Sequence, residues 1–138
     1  KTHPQSLNTL SKLIDSMGCN VYFESPNIHD KAVALISHLP IYLASCLLET
    51  ANGVKDNNLL ELSRRLASTG FSDTSRVGGG NPDLGVDLAK NNSKNILIAL
   101  KKFKENILEL ENILENNSWD LLQEKLQYTQ ECRDYFCE

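Results

Sequence analysis

The chain has 138 residues, enough for one domain with a core of its own. Hydrophobic residues make up 41% and charged residues 23%, the ordinary globular range. A net charge of −4, with no basic stripe and no interleaved aromatics, removes the electrostatic case for a nucleic-acid partner.

Residues 1–16 are polar and amphipathic and lack the apolar core of a signal peptide. The opening at Lys1, without Met, reads as a piece of a longer protein. Leu7, Leu10, Leu13, Ile14 and Met17 share one face, so the spacing predicts a helix over 4–17, with Gly18 as its C-terminal cap. Residues 20–24, Asn-Val-Tyr-Phe-Glu, read as a strand. Helix, tight turn and strand end an α/β layer, yet no other strand is available to pair. Residues 1–25 are therefore expected to be the closing helix and strand of a sheet domain whose main part lies outside this chain.

Pro26 breaks the chain and Asn27 is a candidate cap for the next helix, with Asp30 at the positive end of its dipole. That helix is predicted over about 28–51 and is apolar nearly all round, as a central buried helix should be. Its longest apolar stretch, 32–48, contains Ser37, His38, Pro40 and Ser45 and falls short of the ~20 apolar residues of a membrane span. Pro40 removes a backbone donor and crowds the carbonyl of Ile36, so a kink is expected there, beside His38.

Asp56 caps a further predicted helix carrying Leu59, Leu60, Leu62 and Leu66. Residues 70–80 read as a pliant polar loop of glycines and hydroxyls around one cation, Arg76. A planar guanidinium in such a loop either grips a carboxylate through two parallel hydrogen bonds or caps a neighbouring helix. Asn81-Pro82-Asp83 is a strong helix start. Ile96, Leu100, Phe103, Ile107, Leu110 and Leu114 then repeat at 4-3-4-3-4, a seam that is either an internal helical hairpin or a subunit interface. Asn116-Asn117-Ser118 breaks the pattern. A last helix offers Trp119, Leu122, Leu126 and Phe136 for packing. Cys19, Cys46, Cys132 and Cys137 form no CxxC pair and read as reduced thiols of a cytoplasmic protein, with Cys46 acting as a small hydrophobe.

Two stretches carry a family resemblance. His29-Asp-Lys-Ala-Val-Ala-Leu-Ile-Ser-His-Leu-Pro40 resembles the HD-x-A-x-A-x-I-SHLP signature of the prephenate/arogenate dehydrogenases. Gly70-Phe-Ser-Asp-Thr-Ser-Arg76 resembles the GF-x-D-T-[ST]-R stretch of the same family, in the same order. The continuation through residues 77–85 looks most like the arogenate-specific, NADP-linked enzymes of the cyanobacterial type. The resemblance spans about 4–135.

It implies a two-domain enzyme, with an N-terminal Rossmann domain for the nicotinamide cofactor and a C-terminal helical domain that forms a homodimer. The chain is expected to supply residues 1–25 to the first and 26–138 to the second. The expected fold class is all-α, like the C-terminal domain of 6-phosphogluconate dehydrogenase, with one residual helix and strand. The implied reaction is the NADP- or NAD-dependent oxidative decarboxylation of arogenate or prephenate in tyrosine biosynthesis. NADP is the expected cofactor, bound mainly outside this chain, and no metal or membrane is implied.

By the same resemblance Arg76 holds a substrate carboxylate, and His38 and Ser37 are candidate substrate donors. A buried His38 that merely satisfies the carbonyl freed by Pro40 is the structural alternative. The catalytic histidine and the dinucleotide fingerprint fall outside this chain, so the chain alone is expected to be inactive. The triplet Gly78–Gly80 follows no strand and lacks GxGxxG spacing.

The sequence departs from the family at Ile41, where many relatives have a second histidine, at Ser72 in place of a cation, and at Gly85 in place of an aromatic. A stand-alone helical interaction module, binding a partner helix along the seam, is the competing reading.

Overall fold

A computed structural model describes residues 2–137, and the terminal residues of the two expected domains, Lys1 and Glu138, lie outside them. The fold is all-α. Helix α1 spans Pro4–Ser16, α2 Pro26–Val33, α3 Leu39–Asn52, α4 Asn57–Leu66, α5 Thr69–Ser75, α6 Pro82–Glu115 and α7 Trp119–Cys137. A π-turn, Ala34–His38, joins α2 to α3 in one continuous rod, and a 3-10 turn, Arg76–Gly79, follows α5.

Local chemistry sets the ends of these elements. The Asp56 carboxylate accepts from the amides of Asn58 and Leu59, and the Asn81 side chain accepts from Asp83 N–H. The cap of α2 is Ser25, whose hydroxyl takes the Ile28 amide, and not Asn27, which lies inside the helix. At the end of α1, Gly18 has φ 75° while Gly18 N–H reaches Asp15 C=O and Cys19 N–H reaches Ile14 C=O. The end of α6 repeats that motif with Asn117 at φ 51°. There Asn117 N–H bonds Leu114 C=O and Ser118 N–H bonds Ile113 C=O.

Three expectations are corrected. Residues 20–24 form no strand and no regular element, because a strand needs a ladder partner and the described residues supply none. Residues 70–80 are not a pliant loop but α5 followed by the 3-10 turn. The kink expected at Pro40 takes the form of the π-turn, in which Leu39 N–H bonds Ala34 C=O, five residues back.

Helix α3 is the hub, with α4, α5, the 3-10 turn and α6 all packed on it. The rod Pro26–Asn52 is 27 residues long and contains an 18-residue stretch of mean hydropathy 1.6, enough to cross a membrane by length and composition alone, as the core helix of a globular domain also can be. It is central without being enclosed: Ala34, His38 and Ala44 are buried, whereas Leu35 and Ile36 are 56% and 63% exposed. Too few elements surround it. Helix α7 packs on α6 alone, tied by Lys125 to Glu109 at 2.8 Å, and α1 packs on no other element among the described residues. Phe136, expected to pack, is exposed, and so is Cys46. The accessible surface is 11,596 Å², against roughly 7,200 Å² for a compact monomer of this mass.

Candidate functional site

Two irregularities face each other where the rod meets α6. One is the π-turn with His38. The other is a break in α6 at Asn92, whose φ of −134° and ψ of 26° interrupt helical geometry. Both side chains are buried, each 8% exposed. Asn92 Nδ2 donates to the Asp30 carbonyl at 2.7 Å and lies 3.4 Å from His38 Nδ1, and Asn92 Oδ1 accepts from Asn95 Nδ2 at 2.7 Å. His38 therefore bonds across to α6 and does not serve the carbonyl freed by Pro40. Its Nε2 makes no hydrogen bond to a described residue. Since no fully buried side-chain nitrogen or oxygen lacks a partner, Nε2 retains access to solvent. Ser37, beside it, is exposed, and its hydroxyl bonds no described residue.

Arg76 opens the 3-10 turn, exposed and without an ion-pair or hydrogen-bond partner among the described residues. The turn beneath it is seated backbone to backbone on α3. A Cβ at Gly78 would lie 2.7 Å from the Ala44 carbonyl oxygen and closer still to Ala44 C and Ser45 N. Only glycine permits that approach. The next residue, Gly79, has open space around it. The turn with Arg76 packs on α3 and does not touch the π-turn with His38, so the two residues flank the site separately.

Beside the Arg76 turn lies a cavity of ≈ 330 Å³ walled by Ile41, Tyr42 and Ser45 of α3, the glycine turn, and the start of α6 as far as Ala89. The Tyr42 hydroxyl donates to the Gly85 carbonyl at 2.8 Å, tying α3 to the first turn of α6. Two of the positions that depart from the family pattern, Ile41 and Gly85, both line this cavity. A Cβ at Gly85 would meet nothing within 4 Å.

Three of these residues were not singled out from the sequence: Asn92, Gly78 as a packing glycine, and Tyr42. Asn92 had a visible signal, a polar residue one turn before Ile96 on the same helix face. Gly78 and Tyr42 had none, because the partner of each lies in a remote segment.

The prephenate dehydrogenase, dimerization domain, family matches residues 25–128. The chain belongs to that family. It is 27% identical over 135 residues to a prephenate dehydrogenase of Bacillus subtilis, covering 98% of this chain and 35% of the relative. It is 26% identical over 132 residues to a cyclohexadienyl dehydrogenase of Zymomonas mobilis, covering 96% of this chain and 45% of that protein. Arogenate dehydrogenase from Synechocystis superposes with a TM-score of 0.90 at 39% identity, over 98% of this chain and 49% of that one. Prephenate dehydrogenase from Aquifex aeolicus, in complex with hydroxyphenyl propionate and NAD+, shares the fold with a TM-score of 0.84 at 23% identity, over 96% of this chain and 46% of its own. The chain thus spans between about a third and a half of the length of its relatives.

The described residues show no dinucleotide-binding fingerprint. They contain no sheet to present a dinucleotide, and of the glycine triplet Gly78 packs on Ala44 and Ser45 while Gly79 faces open space. No group of three His, Cys, Asp or Glu side chains among them is placed to hold a metal ion.

Proposed function

We propose that this chain is the dimerisation and substrate-binding part of an arogenate dehydrogenase acting in tyrosine biosynthesis, with prephenate as the alternative substrate. The observation that carries the reading is the 39% identity to the Synechocystis arogenate dehydrogenase over nearly the whole chain. An exposed Arg76 that bonds no described residue, on a turn seated against α3, agrees with it.

The reaction is an oxidative decarboxylation that turns a cyclohexadienyl ring into a phenol, with a nicotinamide as hydride acceptor. NADP is the preferred form, held by a separate N-terminal domain. What this chain contributes is binding. Arg76 presents a planar fork to a substrate carboxylate. His38 offers its solvent-facing Nε2, and Ser37 its free hydroxyl. Residues 1–25 belong with the cofactor domain and 26–138 with the helical one. The isolated packing of α1 and a family match that begins at residue 25 support that division.

The protein is a cytoplasmic homodimer in this reading. Four unpaired thiols and a large excess of exposed apolar surface support it. Steady-state assays of the full-length protein with arogenate and prephenate, each with NADP+ and NAD+, test the proposal. Turnover of arogenate with NADP+ is expected to dominate. No turnover of either substrate overturns it, as does cofactor-dependent turnover by the 138-residue chain alone for the division of labour.

A further inference from the structure

We infer that Asn92 is a positioning residue that keeps a lone pair on His38 Nδ1 and so leaves the ring proton on Nε2. The inference rests on the role proposed for His38 and adds the group that sets its hydrogen-bonding polarity.

The argument starts at the Asp30 carbonyl, which can only accept. The Asn92 atom 2.7 Å from it must be the NH2 group, so the amide has one orientation. Its oxygen is then the atom that accepts from Asn95 Nδ2. Both hydrogens of Asn92 Nδ2 are committed, one to the Asp30 carbonyl and one toward His38 Nδ1. A donor facing Nδ1 requires a lone pair there, which leaves the imidazole proton on Nε2. His38 is thereby a donor at its open edge, the polarity a carboxylate or hydroxyl of a substrate needs.

The two helix irregularities serve this contact. The π-turn presents His38 to α6, and the break at Asn92 frees that side chain to reach the Asp30 carbonyl on α2. An uninterrupted pair of helices has no need of either distortion.

Two measurements test it on the full-length protein. Long-range ¹H–¹⁵N correlation of histidine-labelled protein at pH 8, with His38 assigned by its loss in His38→Gln, is expected to show the Nε2–H tautomer. In Asn92→Asp, an isostere whose carboxylate only accepts, the His38 proton is expected on Nδ1 or on both nitrogens. A wild-type Nδ1–H tautomer overturns the inference whether or not the enzyme turns over arogenate, and this spectrum decides it even if Asn92→Asp does not fold.

The second measurement is kinetic. Asn92→Asp is expected to raise the arogenate KM roughly tenfold, the scale of one hydrogen bond, with the cofactor KM unchanged. In a His38→Gln background, where the amide supplies its own donor, the same substitution should leave KM where it was. An equal effect in both backgrounds marks a merely structural asparagine and overturns the inference. Loss of all dehydrogenase activity in the wild type instead defeats the proposed function, and the spectrum alone then judges Asn92.

Discussion

Arg76 rises from a turn whose backbone lies directly on α3, so its base is fixed while its guanidinium bonds no described residue. Arg76→Ala in the full-length enzyme is expected to weaken substrate binding by about 1.5–3 kcal/mol, read as a rise in KM. Arg76→Lys should recover little, because an ammonium cannot form the paired hydrogen bonds of a planar fork. The seat beneath it has its own test. Gly78→Ala drives a methyl group into the Ala44–Ser45 backbone and should destabilise the fold by about 1–3 kcal/mol in calorimetry. Gly79→Ala, with open space around it, is the matched control and should change little. Arg76 stands out in the sequence because a lone cation among hydroxyls and glycines is conspicuous. The packing of Gly78 was not legible there, since a close approach depends on a segment more than thirty residues away.

Among the elements, those with a complete local signal were readable: the Asp56 and Asn81 caps, the Gly18 cap and the amphipathic α1 all appear as the residues imply. The misread ones depended on partners. Residues 20–24 have strand-forming side chains but no neighbouring strand, and α5 is short enough that packing on α3 outweighs its poor helix propensity. The seam on α6 is shared out. Ile96 is buried where α6 meets the rod, and Ile113, outside the heptad, is buried near α7. Ile107 and Leu114 are left 46% and 47% exposed.

Two element-scale substitutions follow. Asn117→Ala puts a Cβ-bearing residue without a turn-forming side chain at positive φ and should cost about 1 kcal/mol in denaturant unfolding, whereas Asn117→Gly should not. Pro40→Ala restores a backbone donor after the π-turn. It is expected to keep or raise the melting temperature while raising the substrate KM, because a regular helix carries His38 off Asn92.

At the scale of the molecule, about 4,400 Å² of surface beyond that of a compact monomer is left uncovered. Much of it is apolar: Trp119 and Leu126 on α7 are each 58% exposed and wall an open groove with Leu122. A monomer with that surface is a poor soluble species. The full-length protein is therefore expected to sediment as a dimer at micromolar concentration, and Leu126→Glu to shift it toward monomer. An unchanged sedimentation coefficient removes α7 from the interface. The all-α class was legible from helical periodicity. The open shape was not, because periodicity marks which side chains seek cover without saying whether the cover comes from the same chain.

The backbone seat of the Arg76 turn also sets where disorder is paid down on binding. Contacts between main chains have no rotamers to choose among, so the turn arrives already ordered. The only freedom left to lose is in the side-chain torsions of Arg76 itself, on the order of 2 kcal/mol at most. In the role proposed for Arg76, the protein's entropic cost of holding a carboxylate is thus confined to one side chain.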